Sequence, residues 1–96
     1  MTNPNPWFDT LPGPRLKKII EEHGDKLLER YHTIDVHFAV WMHAMNKAVQ
    51  RRVPMSYDDF EDWDYRTAYD EGMFPARAAI QMLDDNGYGD EYFGSE

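Results

Sequence analysis

Apolar side chains recur every three or four residues along most of the first half of the chain. Leu16, Ile19, Ile20, Leu27, Tyr31, Ile34, Phe38, Trp41, Met45 and Ala48 follow that spacing, with His23 filling the step between Ile20 and Leu27. It fits the 3.6-residue turn of an α-helix, not the period of two that a strand demands. Charged residues fill the outward positions, among them Lys17, Lys18, Glu21, Glu22, Lys26, Glu29 and Arg30. Glu22 and Lys26 stand four apart in the favourable order. No alternating strand pattern and no internal repeat interrupts this reading, so the expected class is all-α.

From Leu27 onward the spacings alternate four and three, a heptad sustained over several turns. The consequence depends on continuity. One helix from residue 14 to 52 would extend about 57 Å and leave Tyr31, Ile34, Phe38, Trp41 and Met45 as a seam for a second copy. Gly24-Asp25 offers a cap pair, and Thr33 offers an N-cap with Asp35 in the first turn. A break near His32–Thr33 is expected, because a domain of 96 residues gains more by folding the seam back on itself.

Punctuation divides the remainder. Ile34–Val49 is apolar around much of its girth, as befits a central helix. Arg51-Arg52 and Pro54 end it. Ser56 with Asp59 has capping-box spacing and predicts a third helix running to Glu71, terminated by Gly72. Pro75–Asp85 predicts a fourth, with Ala76, Ala79, Ile80 and Leu83 as its buried stripe and Asn86-Gly87 as its end. The expected architecture is a small bundle of about four helices. Residues 1–14 form an extended Pro-rich arm, 15–87 a single helical domain and 88–96 a short acidic tail. Four prolines lie between Asn3 and Pro14, and Trp7, Phe8 and Leu11 on that arm can strap the core.

Charge is distributed unevenly. Residues 1–53 carry eight Lys/Arg against six Asp/Glu, and residues 54–96 carry two against twelve. The acidic half is also aromatic, above all in Tyr57–Tyr65, where five carboxylates fall within nine residues. Like charges at neighbouring helical positions repel. A function that needs them gives one reason to keep them; solubility gives another.

Several chemistries lack material. With no cysteine there are no disulfides, thiolate nucleophiles or thiolate metal sites. His23, His32, His37 and His43 include no i,i+4 pair. Glu29 and His32 have the spacing of one ligand pair of a di-iron bundle, but the second pair is missing. Asp84–Asp90 starts like a calcium loop, yet Tyr88 occupies its fifth position and Ser95 its twelfth. Ser56 and Ser95 are the only serines, and no Gly-rich phosphate loop occurs. Neither a metal nor a cofactor is expected, and the reading is of a protein that is not an enzyme. Gly72-Met73-Phe74-Pro75 followed by Ala78-Ala79-Ile80 and Leu83 resembles the loop and second helix of a ubiquitin-associated domain, with Gly-Met-Phe in place of Met-Gly-Phe. That short resemblance carries no function over.

What remains is binding. The expectation is a non-enzymatic interaction module that docks through Asp58, Asp59, Glu61, Asp62, Trp63, Asp64 and Tyr65 on a basic protein surface and blocks or regulates it. Imitation of nucleic-acid phosphates is one form of this. The alternative is a self-associating structural or assembly subunit, such as one of a virus particle, joined through the Tyr31–Met45 seam. Direct nucleic-acid binding is disfavoured by a net charge of −8, and the Lys47–Arg52 cluster is small against it. The longest apolar run, Phe38–Met42, is far short of the ~20 residues needed to span a bilayer. Met1–Pro14 has no basic start or apolar stretch, so no secretion signal is expected and the cytoplasm is the expected location.

Overall fold

The computed structural model describes residues 5–87, and four α-helices dominate them: α1 (Gly13–Arg30), α2 (Val36–Arg52), α3 (Tyr65–Asp70) and α4 (Pro75–Asp85). Two short 3₁₀ turns, Pro6–Thr10 and Tyr57–Asp59, precede α1 and α3, and no strand occurs among the described residues. The protein is a small helical bundle, as the apolar period predicts. The expected tail lies outside the described residues.

Central position falls to α2, which packs against α1, α3, α4 and the Tyr57–Asp59 turn. Its sequence explains why. Ala39, Val40, Trp41, Met42, Met45, Ala48 and Val49 are all buried, so no single stripe can serve one neighbour alone. Small residues let α4 approach: Ala78 and Ala79 are fully buried beside Met82 and Leu83. Phe38, Trp41 and Tyr69 interlock as an aromatic cluster, with centroid separations of 5.1–6.0 Å.

The long apolar period does break, between Arg30 and Val36. His32 adopts φ +54, the left-handed turn that ends α1. The cap of α2 differs from the expectation. Asp35, not Thr33, is the N-cap, accepting the Phe38 N–H at 3.1 Å, while Thr33 Oγ1 accepts the Asp35 N–H at 3.0 Å. The longer Asp carboxylate sits in register with the first free amides, and Thr33 shapes the entry instead. Gly24 does not cap a helix either. It is buried within α1, where a Cβ would meet Val36 Cγ2 at 3.4 Å, so its role is close approach to α2.

Two further expectations are corrected. The helix predicted over 56–71 is divided. The Ser56–Asp59 capping box closes only a 3₁₀ turn, Phe60 is extended, and α3 begins at an Asp64 cap that accepts the Thr67 N–H. A continuous helix would line up Asp58, Asp59, Glu61 and Asp62 on adjacent turns, and the extended stretch relieves that repulsion. The described part of the arm is not simply extended: Asn5 caps a turn at Pro6, and Phe8 is buried in the core with Trp7 and Leu11 packed beside it. Asn5 itself is 0% exposed, donating through Nδ2 to the Tyr69 and Met73 carbonyls at 2.9 and 3.0 Å. Trp41 Nε1–H donates to the same Met73 oxygen at 2.9 Å. The turn they meet needs Gly72, whose φ is +84 and whose Cα lies against the Pro6 ring. Pro75–Asp85 is helical as predicted, but its buried face is Ala78, Ala79, Met82 and Leu83, and Ala76 and Ile80 of the expected stripe are exposed.

Candidate interaction surface

The acidic stretch is anchored from beneath. Asn46, buried within α2, accepts the Tyr57 N–H at 2.8 Å, and Gln50 Nε2 donates to Ser56 Oγ at 3.0 Å. Ser56 N–H donates to Asp59 Oδ2 at 2.9 Å, the second half of the capping box. These bonds fix the backbone that carries the carboxylates and leave little conformational entropy for a partner to remove.

Rings and acids then separate. Tyr57 packs against Tyr31 and Tyr65 at centroid distances of 5.4 and 5.7 Å. Tyr65 donates its hydroxyl to the Tyr57 carbonyl at 3.4 Å, and burial, with Tyr57, Asp62 and Asp58 nearby, pushes its pKa up to about 12. Trp63 packs on Tyr65 at 5.3 Å, and its indole N–H donates to Asp85 Oδ2 at 2.7 Å, tying the stretch to the end of α4. Phe60, Trp63 and Tyr65 are half-buried and pack on the core.

Asp58, Asp59, Glu61, Asp62 and Asp64 are all exposed. Their duties differ. Asp59 closes the capping box, and Asp64 caps α3 by accepting Thr67 N–H and Oγ1–H at 3.1 and 2.7 Å, which lowers its pKa. Asp58, Glu61 and Asp62 take part in none of the ion pairs among the described residues. Burial raises the pKa of Tyr57 first, and Asp58 beside it raises it further. The predicted residues therefore lie along one stretch, with five exposed carboxylates and with Trp63 and Tyr65 half-buried against the core.

The heptad seam is distributed differently. Trp41 and Met45 are fully buried in the core, Tyr31 is buried, and Phe38 stacks on Trp41. Of the seam only Ile34, 99% exposed on the link between α1 and α2, faces outward. Two asparagines that the sequence reading passed over, Asn5 and Asn46, hold the loops in place. Asn46 had a visible signal, a lone amide inside the apolar run of α2; Asn5 had none.

Among the described residues no group of three or more His, Asp or Glu is placed to hold a metal ion. Asp84 and Asp85 lie at the end of α4, and the rest of the calcium-like stretch, from Tyr88, falls outside the described residues. No helix among them is long and apolar enough to cross a membrane.

Comparison with known proteins adds one relationship. No family model matches the chain, and no solved structure matches it. A stretch of 46 residues is 38% identical to the Gene 87 protein of Mycobacterium phage L5, covering 87% of that protein and 48% of this chain. Nearly the whole of the phage protein is thus represented within about half of this sequence. At that identity and coverage, the chain belongs to the same family as the Gene 87 protein of Mycobacterium phage L5.

Proposed function

We propose that this phage-related protein is a non-enzymatic interaction module whose acidic edge docks on a basic protein, including one that itself binds nucleic acid, and blocks or regulates it. The observation that supports this most is the trio Asp58, Glu61 and Asp62, exposed and in none of the ion pairs among the described residues, on a backbone fastened by Asn46 and the capping box. Carboxylates in such an arrangement steer a cationic partner and set its orientation. The inward rings limit how much aromatic surface the edge can offer, so charge carries most of the recognition.

Assembly through the heptad seam ranks lower, since Trp41, Met45 and Tyr31 are already spent inside the fold. The test is capture from mycobacterial lysate with the wild-type chain and with Asp58→Lys/Glu61→Lys/Asp62→Lys, which leaves the Asp59 and Asp64 caps in place. A partner retained by the wild type, lost by the variant and released as salt rises is the expected result. A partner held equally by both, or indifferent to salt, removes the acidic edge from its recognition.

A further inference from the structure

A second surface lies in the cleft where α1 and α2 pack side by side. Two adjoining cavities of about 340 and 410 Å³ share Ile19, Leu27 and His43. Half-buried Ala44 of α2 continues the apolar floor above buried Leu27, Val40 and Ala48, and Trp7 and Leu11 close one end. Arg15 marks one limit along α1 and Arg30 the other. That separation corresponds to about 22 Å of helix, too long for a small anion and about four turns of a docked helix.

Among the described residues the charges lining this floor have one sign. Arg15, Lys26 and Arg30 line it from α1, Lys47 and Arg51 from α2, and no described carboxylate lines either cavity. None of these five cations belongs to an ion pair among the described residues. Their field is felt at His43, whose pKa is lowered first by burial and then by Lys47, Arg30 and His23. Cations gathered around an apolar trough repel one another until an anion enters.

We propose that this cleft receives an acidic amphipathic segment of a partner protein, its apolar face on the half-buried Leu11, Ile19 and Ala44 and its carboxylates among Lys26, Lys47 and Arg51. Charge complementarity and the apolar floor together select this occupant. A nucleic acid satisfies the cations, but not a floor of aliphatic side chains on a molecule of net charge −8. An amphipathic helix satisfies both, laying residues at i, i+3, i+4 and i+7 into the trough. No residue of the acidic edge lines either cavity, so substitutions in one leave the lining of the other unchanged and the two proposals fail independently.

The probe is a labelled peptide of about 15 residues, long enough for the trough, with Leu and Phe on one helical face and Asp and Glu on the other. Fluorescence anisotropy measures its affinity for the full chain. Lys26 and Lys47 are exposed, one on each helix, so Lys26→Glu/Lys47→Glu alters the cleft without touching the core. The expected result is binding that weakens about tenfold or more in that variant and also weakens as salt rises, with Asp58→Asn/Asp62→Asn binding as the wild type does. Circular dichroism of the variants confirms that each is folded, and Lys26→Gln/Lys47→Gln should give an intermediate loss. No binding by the wild type, equal binding by the charge-reversed variant, tighter binding of a single-stranded oligonucleotide than of the peptide, or self-association abolished by Lys26→Glu/Lys47→Glu would each overturn the proposal.

Discussion

The acidic edge and the basic cleft solve opposite problems with the same few residue types. At the edge, Trp63 and Tyr65 are drawn inward and the backbone is pinned, so like charges are held apart on a stiff rim. At the cleft, cations flank a half-buried apolar floor. One surface has charge without much grease; the other has both. An apolar anchor inside a charged ring is the usual anatomy of a tight interface, whereas exposed charge alone governs encounter and orientation more than strength. The cleft should therefore hold its partner longer, and the edge should find its partner faster.

Each surface hangs on one buried asparagine, which gives the sharpest way to part them. Asn5→Ala should cost about 2–4 kcal/mol, because the amide bonds to the Tyr69 and Met73 carbonyls and the cap on Trp7 N–H are lost together. Denaturant unfolding measures it, and the quenching of Trp7 fluorescence should change because the end wall of the cleft loosens. Asn46→Ala should cost about 1–3 kcal/mol by orphaning the Tyr57 N–H, and should disturb the edge while sparing peptide binding in the cleft. If both substitutions impair both surfaces equally, the two are one cooperative unit.

Acid should weaken the cleft region in particular. His43 in the folded protein holds its proton less well than the ordinary 6.5, so as pH falls below that value the unfolded chain takes up the proton first. Its contribution to stability is complete above pH 6.5 and is lost as pH drops through the lowered folded pKa. His43→Gln should accordingly show a smaller fall in melting temperature than the wild type between about pH 7.5 and pH 5. Equal falls would remove His43 from the account.

Smaller still is the effect of relieving repulsion. Asp58→Asn/Asp62→Asn and Lys26→Gln/Lys47→Gln should each raise the melting temperature slightly at low salt, and the gains should vanish at high salt. A loss of stability in either would mean that those charges have partners within the fold. Tyr69 packs against Phe8, Phe38 and Trp41, 1% exposed, and its hydroxyl is buried without a hydrogen-bond partner among the described residues. Tyr69→Phe should leave stability within about 0.5 kcal/mol of the wild type or raise it, as calorimetry can show.

Much of the fold was legible because periodicity and punctuation agreed. The apolar spacing from Leu16 to Ala48 marked both long helices, and Pro75 with Asn86-Gly87 bracketed α4. The acidic helix failed as a reading because two capping signals stood in competition. Ser56–Asp59 is complete as a box, but Asp64–Thr67 is a second start eight residues later, and only the second leads into a helix that can bury Ala68 and Tyr69. At the surface, the composition showed an acidic patch but carried no signal for how its rings pack on the core. The cleft was invisible for a different reason. Its cations are scattered from Arg15 to Arg51 among acids of similar number, and only the pairing of α1 with α2 sorts them to one side.

The Met73 carbonyl, which accepts from both Asn5 and Trp41, has a bearing on how this molecule comes into being. Those bonds span 68 and 32 residues, so the Asn5 amide lacks its carbonyl partners until Tyr69 and Met73 have been synthesised. During translation the helical hairpin can form early, but the latch closes late. A fusion placed ahead of residue 5 would be felt first at the distant turn near Gly72, not at the neighbouring helix.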